Sequence, residues 1–293
     1  MNDSAGVTMS RRNQQHTLSK PNSEPSGQAS SPRPRARPSG RRPKAGWVPN
    51  QHGAWAMLVT PYALGAVWAA VHGRMDVGVV LLLPFWVVGY FAFFAVSQWL
   101  KSGLKPRFVA ASLTYLCLAG VLGLAVVLLR PSWLWWIGAF APLAAVALWS
   151  SWRRRERSLL SGGVTVAVAC LLPLVIATPG PGVQVPLGLA AVCFAYFFGT
   201  VLYVKTMIRE RDSRGYLVLS VAWHGAWIAG VWALPGMVTW PLSLLFGLLA
   251  VRSALVPWLA RRRGIRPSPK AVGIGEVVAT LGLVGASLPS ILA

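Results

Sequence analysis

From Ala54 to Ala293, apolar runs of about twenty residues alternate with short polar connections, and this pattern limits the chain more than any other feature. A run of that length, wound as an α-helix, covers the roughly 30 Å of hydrocarbon in a bilayer. Spans read at 54–73, 79–98, 108–129, 133–151, 160–178, 186–208, 216–234, 240–259 and 271–292, which makes nine crossings. Hydrophobic residues are 55% of the 293 and charged residues 12%, so a soluble fold has too little interior for this apolar surface. The fold class is therefore all-α: a polytopic membrane helix bundle.

The basic residues test the count independently, because cytoplasmic connections collect Lys and Arg. The segment before the first span, and the connections after spans two, four, six and eight with the span ends that lead into them, hold 26 of the 28 Lys and Arg; only Arg74 and Arg130 fall on the other side. That division predicts a cytoplasmic N-terminus and an outside C-terminus, in a bacterial plasma membrane. It also accounts for the net charge of +21 without nucleic acid. Residues 1–46 interleave no aromatic ring with their arginines to stack on bases, and attraction to anionic membrane lipid explains the same charges.

Two units are expected. Residues 1–46 form a basic Ser/Pro/Arg-rich tail with too few large apolar groups to offset the entropy of ordering, hence disordered and cytoplasmic. Residues 47–293 form the transmembrane domain. Arg11-Arg12 does not open an export signal, since no short apolar core follows within reach. Cys117, Cys170 and Cys193 sit inside apolar runs without metal-ligand spacing and read as packing residues. Trp47, Trp99, Trp133, Trp135, Trp136, Trp149, Trp152, Trp240 and Trp258 lie near span ends and read as interfacial anchors.

Function is sought among polar groups at membrane depth, where an unpaired charge costs about 2.5–3.5 kcal/mol on insertion scales. They are few: Arg252 and Glu276 in spans eight and nine, His224 in span seven, Ser97 and Gln98 ending span two, Lys205 and Arg209 ending span six, and His52 at the entry to span one. Arg252 and Glu276 lie on consecutive antiparallel spans at similar depth and are expected to form a structural ion pair. Asn50 or Gln51 caps the first helix, leaving His52 as an interfacial hydrogen-bonding residue or a head-group ligand. "HGAW" recurs at 224–227, but little around it repeats, so no internal duplication is read from it.

Two connections are unusually polar: "FAVSQWLKSGLKPR" (94–107) and "YVKTMIRERDSRGY" (203–216). Lys101 and Lys105 share a face if span two continues, although Pro106 disfavours helical geometry at Lys105. Lys205, Arg209 and Asp212 fall at helical spacing on one face.

"QHGAWAMLVTPYALG", the "SQWLKSGLKPR" turn and "YVKTMIRER" resemble the YwiC-like family of bacterial integral membrane proteins. More distantly, nine spans with polar connections after the second and sixth, and "WSSWRRRERSLLSGG" (149–163), look like the architecture of the UbiA prenyltransferases. In that superfamily Asp-rich motifs at the two connections bind a prenyl diphosphate through magnesium. Aligned on Ser97, the Asp positions fall here on Gln98, Lys101 and Lys105, and the second connection offers only Glu210 and Asp212. Ammonium groups repel magnesium, which wants several oxygen ligands; no metal or other cofactor is expected.

Lysine and arginine can instead meet an anionic head directly. His52, Gln98, Lys101, Lys105, Lys205 and Arg209 are the candidate mouth for an amphipathic anion such as a prenyl phosphate or lipid-like molecule, with membrane lipids as the remaining partner. Whether such a molecule is turned over is left open. The alternatives are a small-solute transporter, for which Pro173 and Pro257 do not fall in matched halves as inverted repeats would require, and a UbiA-type prenyltransferase.

Overall fold

The computed structural model describes residues 46–49, 54–178 and 186–293. The expected tail, apart from Gly46, and the capping and rim residues Asn50, Gln51 and His52 lie outside the described residues.

Ten α-helices make nine membrane-length spans among the described residues: α1 (Ala54–Val71), α2 (Val77–Lys101), α3 (Val109–Leu129), α4 (Ile137–Trp152), α5 (Leu159–Cys170), α6 (Leu172–Ile176), α7 (Leu187–Ile208), α8 (Arg214–Gly230), α9 (Thr239–Arg262) and α10 (Pro269–Leu292). The protein is thus a multi-pass α-helical membrane protein. α5 and α6 are one span interrupted at Leu171, because Pro173 has no amide hydrogen and its ring crowds the carbonyl four residues earlier. Serine or aspartate caps four helix starts: Asp76, Ser158, Ser213 and Ser268 each accept a hydrogen bond from the amide three residues on. α2 and α9 end in left-handed glycines, Gly103 and Gly264, whose amides turn back onto the last helical turn.

α2 lies along α3 and α4, α4 along α5, α5 along α7, α7 along α8 and α10, α8 along α9, and α9 along α10; α1 sits against α6 and α10. α7 is the central helix: 61% of its span is buried, against 11% for the peripheral span that contains α3. Its Leu189, Val192, Cys193, Ala195, Tyr196 and Phe197 belong to the main core. Leu124, Leu128, Val251, Val278 and Leu281 are exposed, as a lipid-facing surface requires.

The four basic connections lie at one end of the bundle and are tied in series. Lys101 pairs with Glu156, Lys205 Nζ donates to the Arg157 carbonyl (2.6 Å), and Arg211 Nη2 donates to the Pro267 carbonyl (3.4 Å). At the opposite end Arg130 Nε donates to Asp76 (2.7 Å), so one of the two basic residues there is neutralised by an acid that also caps α2.

Four sequence expectations change. Cys117 is exposed on α3 rather than packed, unlike the buried Cys170 and Cys193. Trp133 is buried in the core rather than anchored at an interface. α2 stops at Lys101 in a glycine turn, and Lys105 has extended backbone before Pro106, so the two lysines do not share a helical face. α7 stops at Ile208 with Arg209 as its C-cap, which leaves Asp212 outside the helix that was to align it with Lys205.

Candidate functional site

Helices α1 to α6 enclose a cavity of about 530 Å³, within the roughly 300–1,000 Å³ usual for small-molecule sites. Phe85, Trp86 and Phe93 of α2, Phe140 of α4, and Trp133 and Trp136 of the preceding 3₁₀ turn give its aromatic wall. Lining residues run from Trp133, near the Arg130 end, to Ala54 and Ala147 towards the basic end, and on α2 from Leu82 to Phe93.

Small residues create the space. A side chain on Gly123 would strike Phe85 at 2.9 Å, whereas one on Gly89 would meet nothing within 4 Å. The indoles are fixed by their amines: Trp86 Nε1 donates to the Leu58 carbonyl (3.0 Å) and Trp136 Nε1 to Thr178 Oγ1 (2.6 Å). Two lining residues, Tyr90 and Trp133, carry a buried hydroxyl and indole N–H without a partner among the described residues. A wall this apolar, with a few unspent hydrogen-bonding groups, suits a hydrocarbon chain or ring.

The candidate mouth residues are brought together in part. Lys101, the last residue of α2, and Lys205, near the end of α7, reach successive residues of the α4–α5 connection: Glu156 by ion pair and the Arg157 carbonyl by hydrogen bond. Lys205 Nζ also stands 5.5 Å from the centre of the Tyr216 ring. Gln98 lies one turn inside α2 and is half-buried, while Arg209 and Lys105 are exposed. Among the described residues, no three or more His, Cys, Asp or Glu side chains gather as a metal site would need.

A second constellation lies in α7 to α10. Arg252 Nη1 is 3.0 Å from Glu276 Oε1, with the side chains 20% and 13% exposed. Thr200 Oγ1 donates to Glu276 Oε2 (3.0 Å), and the guanidinium sits 4.1 Å over the Tyr203 ring. Tyr196 OH lies 3.0 Å from Thr280 Oγ1, which donates to the Glu276 carbonyl (2.8 Å). The carboxylate therefore has both a cation and a hydroxyl, as a charge at this depth requires.

His224 is fully buried beside this pair. Nδ1 is 2.7 Å from the Ser220 carbonyl, which only accepts, so Nδ1 carries a proton, and Nε2 has no partner among the described residues. Nε2 faces α7 where Gly199 leaves room: a Cβ there would stand 2.6 Å from it. No sequence signal marks the Gly199–His224 fit, because it depends on the rotation of two helices. The cavity was equally hidden in the sequence, apart from the small residues Gly89, Gly123, Ala144 and Ala147 that line it.

Fold and cavity define a polytopic α-helical membrane protein with an apolar site inside one helix group and buried charge inside the other. Residues 48–178 match the family described as YwiC-like protein, and that segment contains every residue lining the cavity. The chain is 28% identical over 244 residues to the uncharacterized protein YwiC of Bacillus subtilis (strain 168), covering 79% of this chain and 92% of that one. It is 25% identical over 185 residues to an uncharacterized protein of Haemophilus influenzae (strain ATCC 51907 / DSM 11121 / KW20 / Rd), covering 60% of this chain and 74% of the relative. The resemblance to the YwiC-like family carried by the sequence motifs is borne out. Neither relative's description names an activity. No solved structure matches the chain.

Proposed function

We propose that this protein recognises an amphipathic anion, holding the apolar tail in the α1–α6 cavity and the anionic head at the basic end, without magnesium. The observation that carries the proposal is the apolar cavity, enclosed by helices whose basic-end connections bear Lys101 and the Arg153–Arg157 cluster. An apolar cavity alone would select any lipid tail; direct charge-assisted hydrogen bonds from Lys and Arg add the preference for phosphate or carboxylate. A prenyl phosphate has both parts. The basic end faces the cytoplasm in this proposal, on the 26-to-2 division of Lys and Arg, and a reporter fused after Ala293 that is active only in the cytoplasm would contradict it.

The test is binding of farnesyl phosphate to purified protein in detergent, with chelator and with magnesium. Binding is expected to survive chelation and to weaken in Lys101→Gln, Lys205→Gln and Arg209→Gln. Binding that requires magnesium, or that none of the three variants changes, would overturn the proposal.

A further inference from the structure

Lys101 does not stand open for a ligand, because Glu156 occupies it. Glu156 is the one acid in the connection Arg153–Ser158, where Arg153, Arg154, Arg155 and Arg157 are exposed while Glu156 is half-buried. The pair joins the end of α2 to the link between α4 and α5, three helices that all line the cavity. The next residue, Arg157, is held from the other side by Lys205 of α7. The connection is thus a strap fastened at two successive residues across the basic end.

Its backbone is not at rest. α4 closes with the same turn as α2 and α9, the amides of Arg154 and Arg155 bonding back to Ser151 and Ser150 (2.9 and 2.7 Å). Where those helices place Gly103 and Gly264 in the left-handed position, α4 places Arg154 at φ 55°. A side chain there is disfavoured by its Cβ, and such strain persists where the surroundings hold it. The fastening is also weak by design of its exposure: Lys101 and Glu156 are 39% and 28% exposed, so water competes for both.

We infer that Glu156 is the internal occupant of the head-group position on Lys101, and that an anionic head exchanges with it to unfasten the strap across the basic end. The inference rests on the proposed recognition of an amphipathic anion and adds how access to that site is regulated. A phosphate carries more charge than a carboxylate and offers three acceptor oxygens, and once Glu156 swings out, the neighbouring arginines are free to close on the head. Exchange needs a pair that a ligand can break. The Lys101–Glu156 pair meets that requirement and the deeply placed Arg252–Glu276 pair does not.

The experiment compares full-length wild type, Glu156→Gln, and the swap Lys101→Glu with Glu156→Lys. Two readouts are taken: cleavage within residues 152–160 by the broad-specificity protease subtilisin, with and without ligand, and binding of farnesyl phosphate, farnesol and inorganic phosphate. Glu156→Gln is expected to be cleaved faster, to bind farnesyl phosphate roughly two- to five-fold tighter, and to leave farnesol unchanged. The swap should restore slow cleavage but not phosphate binding. Inorganic phosphate that speeds cleavage of wild type shows that the head alone suffices for exchange; a requirement for farnesyl phosphate shows that the tail contributes. If wild type binds farnesyl phosphate and Glu156→Gln neither binds tighter nor is cleaved faster, the exchange is wrong while the recognition stands. If neither protein binds it, both fail together.

Discussion

The two helix groups handle polarity in opposite ways. α1 to α6 keep their membrane-depth interior apolar around a cavity and place their charges at the ends. α7 to α10 bury Arg252, Glu276, His224, Tyr196, Thr200 and Thr280 among close-packed helices. The first arrangement leaves space and weak outer fastenings, which suits a region that admits a guest. The second joins Arg252 to Glu276 and gives the carboxylate a hydroxyl from Thr200, while Arg252 Nε and Nη2 and His224 Nε2 keep no hydrogen-bond partner among the described residues; such a pair resists change because either partner alone would be left as an uncompensated charge. The protein therefore reads as a rigid group beside an adaptable one, and the family match falls on the adaptable one.

The largest effect that bears on this contrast is expected at the ion pair. Arg252→Leu or Glu276→Leu should each lower stability by about 3–5 kcal/mol, and the double variant should recover part of that loss. Thermal unfolding in detergent, or accumulation in membranes, measures it. A double variant as unstable as the worse single variant would mean that the second group is not organised around the pair.

A smaller effect is expected where α7 meets α8. Gly199→Ala places a Cβ against His224 Nε2 and Trp223, and overpacking of this kind costs about 1–3 kcal/mol. Adding His224→Ala should relieve most of it, so a double-mutant cycle should show coupling. Additive losses would remove the close fit from the account.

In the first group the contrast predicts the reverse: a change that alters binding and spares stability. Gly89→Leu projects a side chain where nothing lies within 4 Å, on the cavity wall, and leucine favours the helix more than glycine by roughly 1 kcal/mol or less. Farnesyl phosphate affinity should fall about tenfold or more, equivalent to roughly 1.4 kcal/mol, with unfolding unchanged or slightly improved. Unchanged affinity would show that the cavity is not where the tail sits.

The spans were legible in the sequence because bilayer thickness forces a length that few other structures need, and each of the nine expected runs corresponds to a helix span with ends shifted by three residues or fewer. Arg252 and Glu276 were legible as partners for a related reason: at that depth each charge needs the other. The cavity was not, since a void depends on how side chains from several helices meet rather than on the pattern along any one of them. Trp133 misled because its place near a span end matches an anchor, while the 3₁₀ turn Pro131–Trp136 directs it into the core. Lys101 and Lys105 separated because two left-handed residues, Gly103 and Leu104, follow the end of α2, and helical spacing has no meaning beyond a helix end.

The central claim is that the tail of an anionic amphiphile occupies the α1–α6 cavity, and locating that tail tests it most directly. A farnesyl phosphate analogue with a photoreactive group near the end of its chain, crosslinked in the purified protein and mapped by peptide mass spectrometry, should label the segments containing Phe85–Phe93 and Trp136–Ala147. Unlabelled farnesyl phosphate should compete, and Gly89→Leu should weaken the signal. Labelling spread over the lipid-facing helices, or concentrated in the outer groove of α8 and α9 around Leu217, Val221 and Trp258, without competition, would contradict the account.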